Sequence, residues 1–146
     1  MELKDLIKES TIKLELNSSD KNSVLDEMIN LLIDDKVVTD KKKFKEDILA
    51  RESLNNTGIG FGIAIPHAKS KTVKEARIAI GIAKNGIDYG SIDGQDINMI
   101  FMIAVNDKQN DLHLRALAEL ARKLMHEEFR ESILNAKSEK EIIDIL

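Results

Sequence analysis

Apolar positions change their spacing several times along this chain, and each change marks an element. Thr11-Ile12-Lys13-Leu14-Glu15-Leu16 alternates apolar with polar residues, which predicts a half-buried first strand. Asn17-Ser18-Ser19-Asp20 then offers capping side chains. Val24, Leu25, Met28, Leu31 and Leu32 follow at helical spacing, the mark of an amphipathic helix. A second helix opens at Thr39-Asp40, carries Phe44, Ile48 and Leu49 inward, reaches Arg51, Glu52 and Leu54, and stops at Asn55-Asn56.

From Gly58 to Pro66 residue size alternates strictly. Gly58, Gly60, Gly62, Ala64 and Pro66 have one parity, and Ile59, Phe61, Ile63 and Ile65 the other. As a strand, this segment has one face of nearly bare backbone and one bulky apolar face. Glycine in a strand usually marks close approach of another backbone or a ligand. The segment ends at the only proline of the chain, with His67 just beyond it.

Arg77 to Lys84 repeats the pattern more mildly: Ile78, Ile80 and Ile82 against Ala79, Gly81 and Ala83. Asn85-Gly86 is a hairpin-turn signal, and Asp93-Gly94 marks another turn. Ile97 to Val105 is almost continuously apolar, as in a central strand covered on both faces. A polar loop, Asn106 to Asp111, leads to a helix with Leu114, Leu117, Ala118, Ala121, Leu124 and Met125 in one stripe. Glu127 to Leu146 reads as one or two short helices, with Ser138 a cap between them. Strands and helices alternate irregularly around a hairpin. The expectation is α/β: a single domain, residues 1–146, with a mixed, mainly central β-sheet flanked by helices on both faces.

Composition narrows the function classes. The 146 residues contain no cysteine, which removes disulfides, thiolate metal sites and cysteine nucleophiles and fits a cytoplasmic location. No apolar run approaches the roughly 20 residues a bilayer span requires. The start, Met1-Glu2-Leu3-Lys4-Asp5-Leu6, lacks the apolar core of a signal peptide. A net charge of −4, with one Tyr and no Trp, leaves neither the charge nor the stacking surface for nucleic acid.

Nucleophile and acid–base candidates therefore reduce to histidine, hydroxyl and carboxylate groups. His67 follows a strand end, where reactive groups often sit, although an exposed loop histidine beside a turn proline is equally compatible. His113 falls in the first turn of its helix if Asp111 is the N-cap, a place receptive to phosphate. Taken alone, it also fits a surface histidine. His126 is on another face of the helix and reads as surface; nothing in the spacing supports a zinc site. Arg51, near a helix end, has the fork geometry that holds phosphate oxygens, or it pairs with Glu52. Gly58-Ile59-Gly60-Phe61-Gly62 is not G-x-G-x-x-G and does not lead from a strand into a helix, so nucleotide binding is not expected.

The stretch Arg51-Glu52-Ser53-Leu54-Asn55-Asn56-Thr57-Gly58-Ile59-Gly60-Phe61-Gly62-Ile63-Ala64-Ile65-Pro66-His67-Ala68-Lys69-Ser70 resembles the active-site signature of the fructose–mannitol class of enzyme IIA, in bacterial phosphoenolpyruvate-dependent sugar phosphotransferase systems. The resemblance continues through Gly86-Ile87-Asp88, Asp93-Gly94, Asp111-Leu112-His113-Leu114 and Glu128-Phe129-Arg130, and is most like the fructose-type branch. It implies that His67 is the phosphorylated histidine, His113 the second active-site histidine, and Arg51 the nearby arginine. Thr57 matches a small polar position that supports the phosphate site. At Phe61 many relatives carry a polar residue, and this chain departs from them. The implied function is a phosphotransferase relay without metal or cofactor. The carrier protein HPr phosphorylates His67, which passes the group to an enzyme IIB domain, usually to a cysteine, for sugar uptake. Association with a membrane permease complex would be peripheral. Two other readings stay open: a regulatory, nitrogen-related IIA phosphoprotein without a transported sugar, and a binding module that has lost phosphotransfer.

Overall fold

The computed structural model describes residues 2–109 and 111–146, with His113 described by its backbone alone. Two short 3-10 turns, Leu3–Leu6 and Glu9–Thr11, precede strand β1 (Ile12–Lys13) and helices α1 (Lys21–Asp34) and α2 (Lys41–Glu52). Strands β2 (Gly58–Gly60), β3 (Ile63–Ala64), β4 (His67–Ser70), β5 (Arg77–Ile87) and β6 (Ile97–Asn106) follow. Helices α3 (Leu112–Leu124), α4 (Glu127–Leu134) and α5 (Glu139–Ile145) complete the chain. Asp20, Asp40 and Ser138 cap α1, α2 and α5, each accepting from a backbone N–H three residues on.

The sheet is mixed, in the order β1-β5-β6-β3-β2, with β4 also against β6. β6 is central: antiparallel to β5 on one side, and parallel to β3 and then β4 on the other. β3 and β4 thus form one interrupted edge. Pro66 lies in the gap, where its missing N–H does no harm and its carbonyl still accepts from Ile103 N–H at 3.0 Å.

The size alternation of β5 decides which helices lie on which face. Ile78, Ile80 and Ile82 join Phe101, Ile103 and Val105 of β6 in a cluster with residues of α3, α4 and α5. Ala79 and Ala83 face the other way with Ala104, in a cluster with Leu25, Met28, Phe44 and Ile48 of α1 and α2. The small residues let α1 come close. A Cβ on Gly81 would meet Leu16 Cδ1 and Met28 Sδ at 2.7 Å. Gly81→Ala is therefore expected to cost about 1–3 kcal/mol through overpacking. Thermal unfolding would register it as a lower Tm; an unchanged Tm would mean that α1 does not pack this tightly.

The structure corrects several expectations. β1 is only two residues long. Thr11 belongs to a 3-10 turn, where its hydroxyl donates to the Ile78 carbonyl at 3.0 Å, and beyond β1 the Leu16 N–H still reaches Ile82 O. The Gly58–Pro66 segment is not one strand. β2 folds back antiparallel onto β3, and Phe61 and Gly62 turn the chain at φ of 57° and 74°. Its glycines mainly allow this reversal. Asn85-Gly86 is not the hairpin turn: it is a bulge inside β5, where the pairing shifts between Ile82 and Ile87, and the reversal comes later around Asp93-Gly94. The buried stripe of α3 is Leu112, Ala116, Leu120 and Leu124, while Leu114 and Met125 are 55% and 77% exposed. Leu49 likewise faces outward.

Candidate functional site

His67 is the first residue of β4, paired with Ile103 of the central strand, and only 8% exposed. This removes the exposed-loop reading. Its Nδ1 lies 2.8 Å from the carbonyl of Ile65, and its Nε2 accepts a hydrogen bond from Arg51 Nε at 3.2 Å. A carbonyl can only accept, and an arginine N–H can only donate. The ring is therefore neutral, with its proton on Nδ1 and the lone pair of Nε2 directed toward the guanidinium. Burial is the main reason that its pKa falls below the ordinary 6.5; the bond to Ile65 opposes that, Arg51 adds to it, and Glu52 opposes it again.

Arg51 occupies the last turn of α2, and its Nη1 also donates to the Asn55 carbonyl at 2.9 Å. The alternative pairing with Glu52 is not formed. Consecutive helix residues point about 100° apart, so Arg51 and Glu52 leave the helix in different directions. Thr57 is buried beside Glu52, whose carboxylate accepts from its hydroxyl. His113 lies in the first turn of α3, with Asp111 as N-cap as expected. α3 packs against β4. The expected meeting of the His113 and His67 rings falls outside the described side chains. His126 is exposed at the start of α4.

Three members of the site's surroundings escaped the sequence reading. Glu52 accepts from Lys21 Nζ at 2.8 Å and from Tyr89 OH at 3.0 Å, and the Thr57 hydroxyl lies 2.9 Å from the same phenol. Lys21 also sits over the Tyr89 ring, 4.7 Å from its centre. Burial pushes the Glu52 carboxyl up, but the bonds from Lys21 and Thr57 outweigh it, and Glu52 stays below the usual carboxylate range. Burial raises the Tyr89 phenol. The available signal was modest: Tyr89 is the only tyrosine of the chain.

Exposed apolar side chains flank this cluster along the chain. They are Leu54 after α2, and Ile59 and Phe61 on the hairpin that leads to His67. Phe61 is 73% exposed, and the Arg130 guanidinium of α4 stacks 4.6 Å from its ring centre. Among the described residues, no helix is long and apolar enough to cross a membrane.

Residues 5–146 match the family model described as phosphoenolpyruvate-dependent sugar phosphotransferase system, EIIA 2. The fructose-specific EIIABC component of the Bacillus subtilis PTS system is 47% identical over 146 residues, which is 100% of this chain and 23% of that protein. The fructose-specific EIIA component of Haloferax volcanii is 36% identical over 135 residues, 92% of this chain and 88% of that one. Among solved structures, the nitrogen regulatory protein IIA-Ntr from Neisseria meningitidis superposes with a TM-score of 0.90 at 29% identity, covering 98% of this chain and 97% of the other.

Proposed function

The chain belongs to the phosphoenolpyruvate-dependent sugar phosphotransferase system EIIA 2 family, and we propose that it is the A component of a fructose-type system, carrying a phosphoryl group on Nε2 of His67. The observation that carries this reading is the neutral, buried imidazole with its Nε2 lone pair turned to an arginine. The donor is phospho-HPr, the acceptor an enzyme IIB domain, and the location cytoplasmic. The name of the B. subtilis relative joins A, B and C components, which supports a IIB partner and a peripheral place beside a membrane permease.

In the first transfer the Nε2 lone pair attacks phosphorus. The P–N bond to the donor histidine breaks, and its electron pair returns to that nitrogen. For this the Arg51 Nε–H must leave Nε2, and the guanidinium then meets the oxygens of a group carrying about −1.5 to −2 charge. In the second transfer the acceptor, usually a cysteine thiolate, attacks phosphorus and Nε2 recovers its lone pair. Positioning and electrostatics supply most of the catalysis in phosphoryl transfer, so a site of this size suffices. Thr57 supports the site through the base of the hairpin. Leu54, Ile59 and Phe61 give the partners an apolar surface to dock on.

His113 is assigned as a donor to the phosphoryl oxygens, not as a second acceptor. His113→Ala should leave His67 able to take phosphate while impairing its stability or onward transfer, and His113→Gln, which keeps an N–H donor, should recover part of the loss. Single-turnover transfer to IIB checks this; an unaltered variant would remove His113 from the site. The test of the whole reading is incubation with enzyme I, HPr and labelled phosphoenolpyruvate, followed by site mapping and addition of IIB. The likeness to IIA-Ntr favours a second reading, a regulatory phosphoprotein, which label on His67 that no IIB accepts would support.

A further inference from the structure

We infer that Glu52 is a positioning residue for His67: its buried carboxylate anchors a closed circuit of hydrogen bonds that fixes the imidazole ring and the arginine facing it. The circuit can be followed bond by bond. Glu52 accepts from the Thr57 N–H at 3.3 Å and from the Thr57 hydroxyl. The Thr57 carbonyl accepts from Ile65 N–H at 2.9 Å. The Ile65 carbonyl accepts from His67 Nδ1, and His67 Nε2 accepts from Arg51. Arg51 is bonded to Asn55 O, and its own peptide bond to Glu52 closes the loop. Apart from that peptide bond, every link but one is a single hydrogen bond. At Thr57 the carboxylate makes two, so it clamps the base of the β2–β3 hairpin against the end of α2.

The clamp is itself held. Lys21 of α1 neutralises it and Tyr89, just past β5, donates to it, so three separate parts of the fold converge on one carboxylate that is 5% exposed. A carboxylate serving only as an ion-pair partner would not need such burial, and surface pairing with Lys21 would contribute little. The placement also puts a negative charge close enough to His67 to oppose the effect of Arg51 on the ring. Among the described side chains, the charged and titratable groups near the ring are Arg51 and Glu52 from α2, with Lys21 of α1 and Tyr89 behind Glu52; α3, which packs on β4, carries His113 in its first turn. The β6 residues paired with β4 (Ile103, Ala104, Val105 and Asn106) carry none. Removing the Glu52 charge leaves Arg51 less opposed, so the imidazolium becomes harder to form.

This role depends on the phosphocarrier reading only where rate is the readout. The test is nitrogen-15 NMR of the His67 ring in the unphosphorylated protein, combined with phosphorylation by phosphoramidate, a small donor that needs no docking partner. Glu52→Gln keeps an acceptor for Thr57 but no charge. It should keep the fold and the Nδ1–H tautomer while His67 titrates at lower pH than in wild type. Glu52→Ala should lose the tautomer preference and take up phosphate about ten- to a hundredfold more slowly, the scale expected of a misplaced reacting group. A folded Glu52→Ala protein whose tautomer and uptake match wild type overturns the inference, and if Glu52→Ala fails to fold, a Glu52→Gln protein in which His67 titrates as in wild type overturns it. If the ring responds as expected but wild-type His67 takes no phosphate, the proposed function fails and the positioning role stands.

Discussion

His67→Ala is expected to take up no phosphate from phospho-HPr under conditions in which the wild-type protein is labelled stoichiometrically. Among the described side chains of the site, the imidazole is the group with a neutral lone pair facing a cation, and alanine offers nothing in its place. Label on the wild-type protein should survive base and be lost in acid, as expected of a phosphorus–nitrogen bond. His126→Ala, altered on an exposed residue, should be labelled normally. A second effect comes from the same ring. His67 is buried neutral with its pKa below the ordinary 6.5. The unfolded chain therefore binds a proton at a pH where the folded one does not. That contribution to stability is complete above about pH 6.5 and is lost as the pH falls from there toward the lowered folded value. Urea titrations of wild type between pH 7.5 and 5 should show this slope, and His67→Ala should show less of it. Stoichiometric label on His67→Ala would overturn the assignment of the acceptor.

The parts of this molecule that were legible in its sequence are those in which side-chain size or period has one physical meaning. Alternating isoleucine and alanine in β5 can satisfy only a sheet covered unequally on its two faces, and the helices lie accordingly. The unbroken apolar run of β6 fits a strand buried on both faces, and it is central. Where one residue type serves two conformations, the sequence was ambiguous. Glycine at every second position suits both a strand with a bare face and a reversal, and Gly60 and Gly62 at positive φ make it a reversal. Asn-Gly suits a hairpin and a bulge alike, and the partner strand β6 decides between them. In α3 the pattern admitted two neighbouring stripes; packing chose the one through Leu112 and Leu120 and left Leu114 outside. At His67 and Arg51 a proline and a helix end marked candidate places but left their bland readings open, and the resemblance selected them. Glu52 was hidden by its neighbour. A charged residue beside an arginine reads as its partner, and only helix geometry, with Lys21 and Tyr89 arriving from distant segments, turns it to another task.

Arg51→Ala should slow phosphoryl transfer to His67 by about 10- to 150-fold, because a charge-assisted hydrogen bond of about 1.5–3 kcal/mol is lost where charge accumulates. The bond to Nε2 that the structure displays is not the catalytic contact itself, since attack cannot begin until it opens. It does place the guanidinium within one hydrogen bond of Nε2, the atom proposed to carry phosphorus. The substitution should cost little stability, because the side chain makes its two bonds near the end of α2 and fills no part of the core. The pH profile separates an electrostatic role from a merely local one. With Arg51 present, its charge helps burial hold the His67 pKa below 6.5, so transfer should fall off only on the acid side of that value. Without it burial still acts alone, and the acid limb should move toward higher pH. Arg51→Lys keeps the charge but not the planar fork. It should hold the acid limb near its wild-type position while recovering only part of the rate. Rapid-quench measurement of a single turnover from pH 5 to 8, with circular dichroism as the control for folding, reads both quantities. A folded Arg51→Ala protein that transfers at the wild-type rate would leave Arg51 as an anchor for the Asn55 turn. The guanidinium would then contribute nothing to the phosphoryl group, and the charge developing on its oxygens would have to be met from α3.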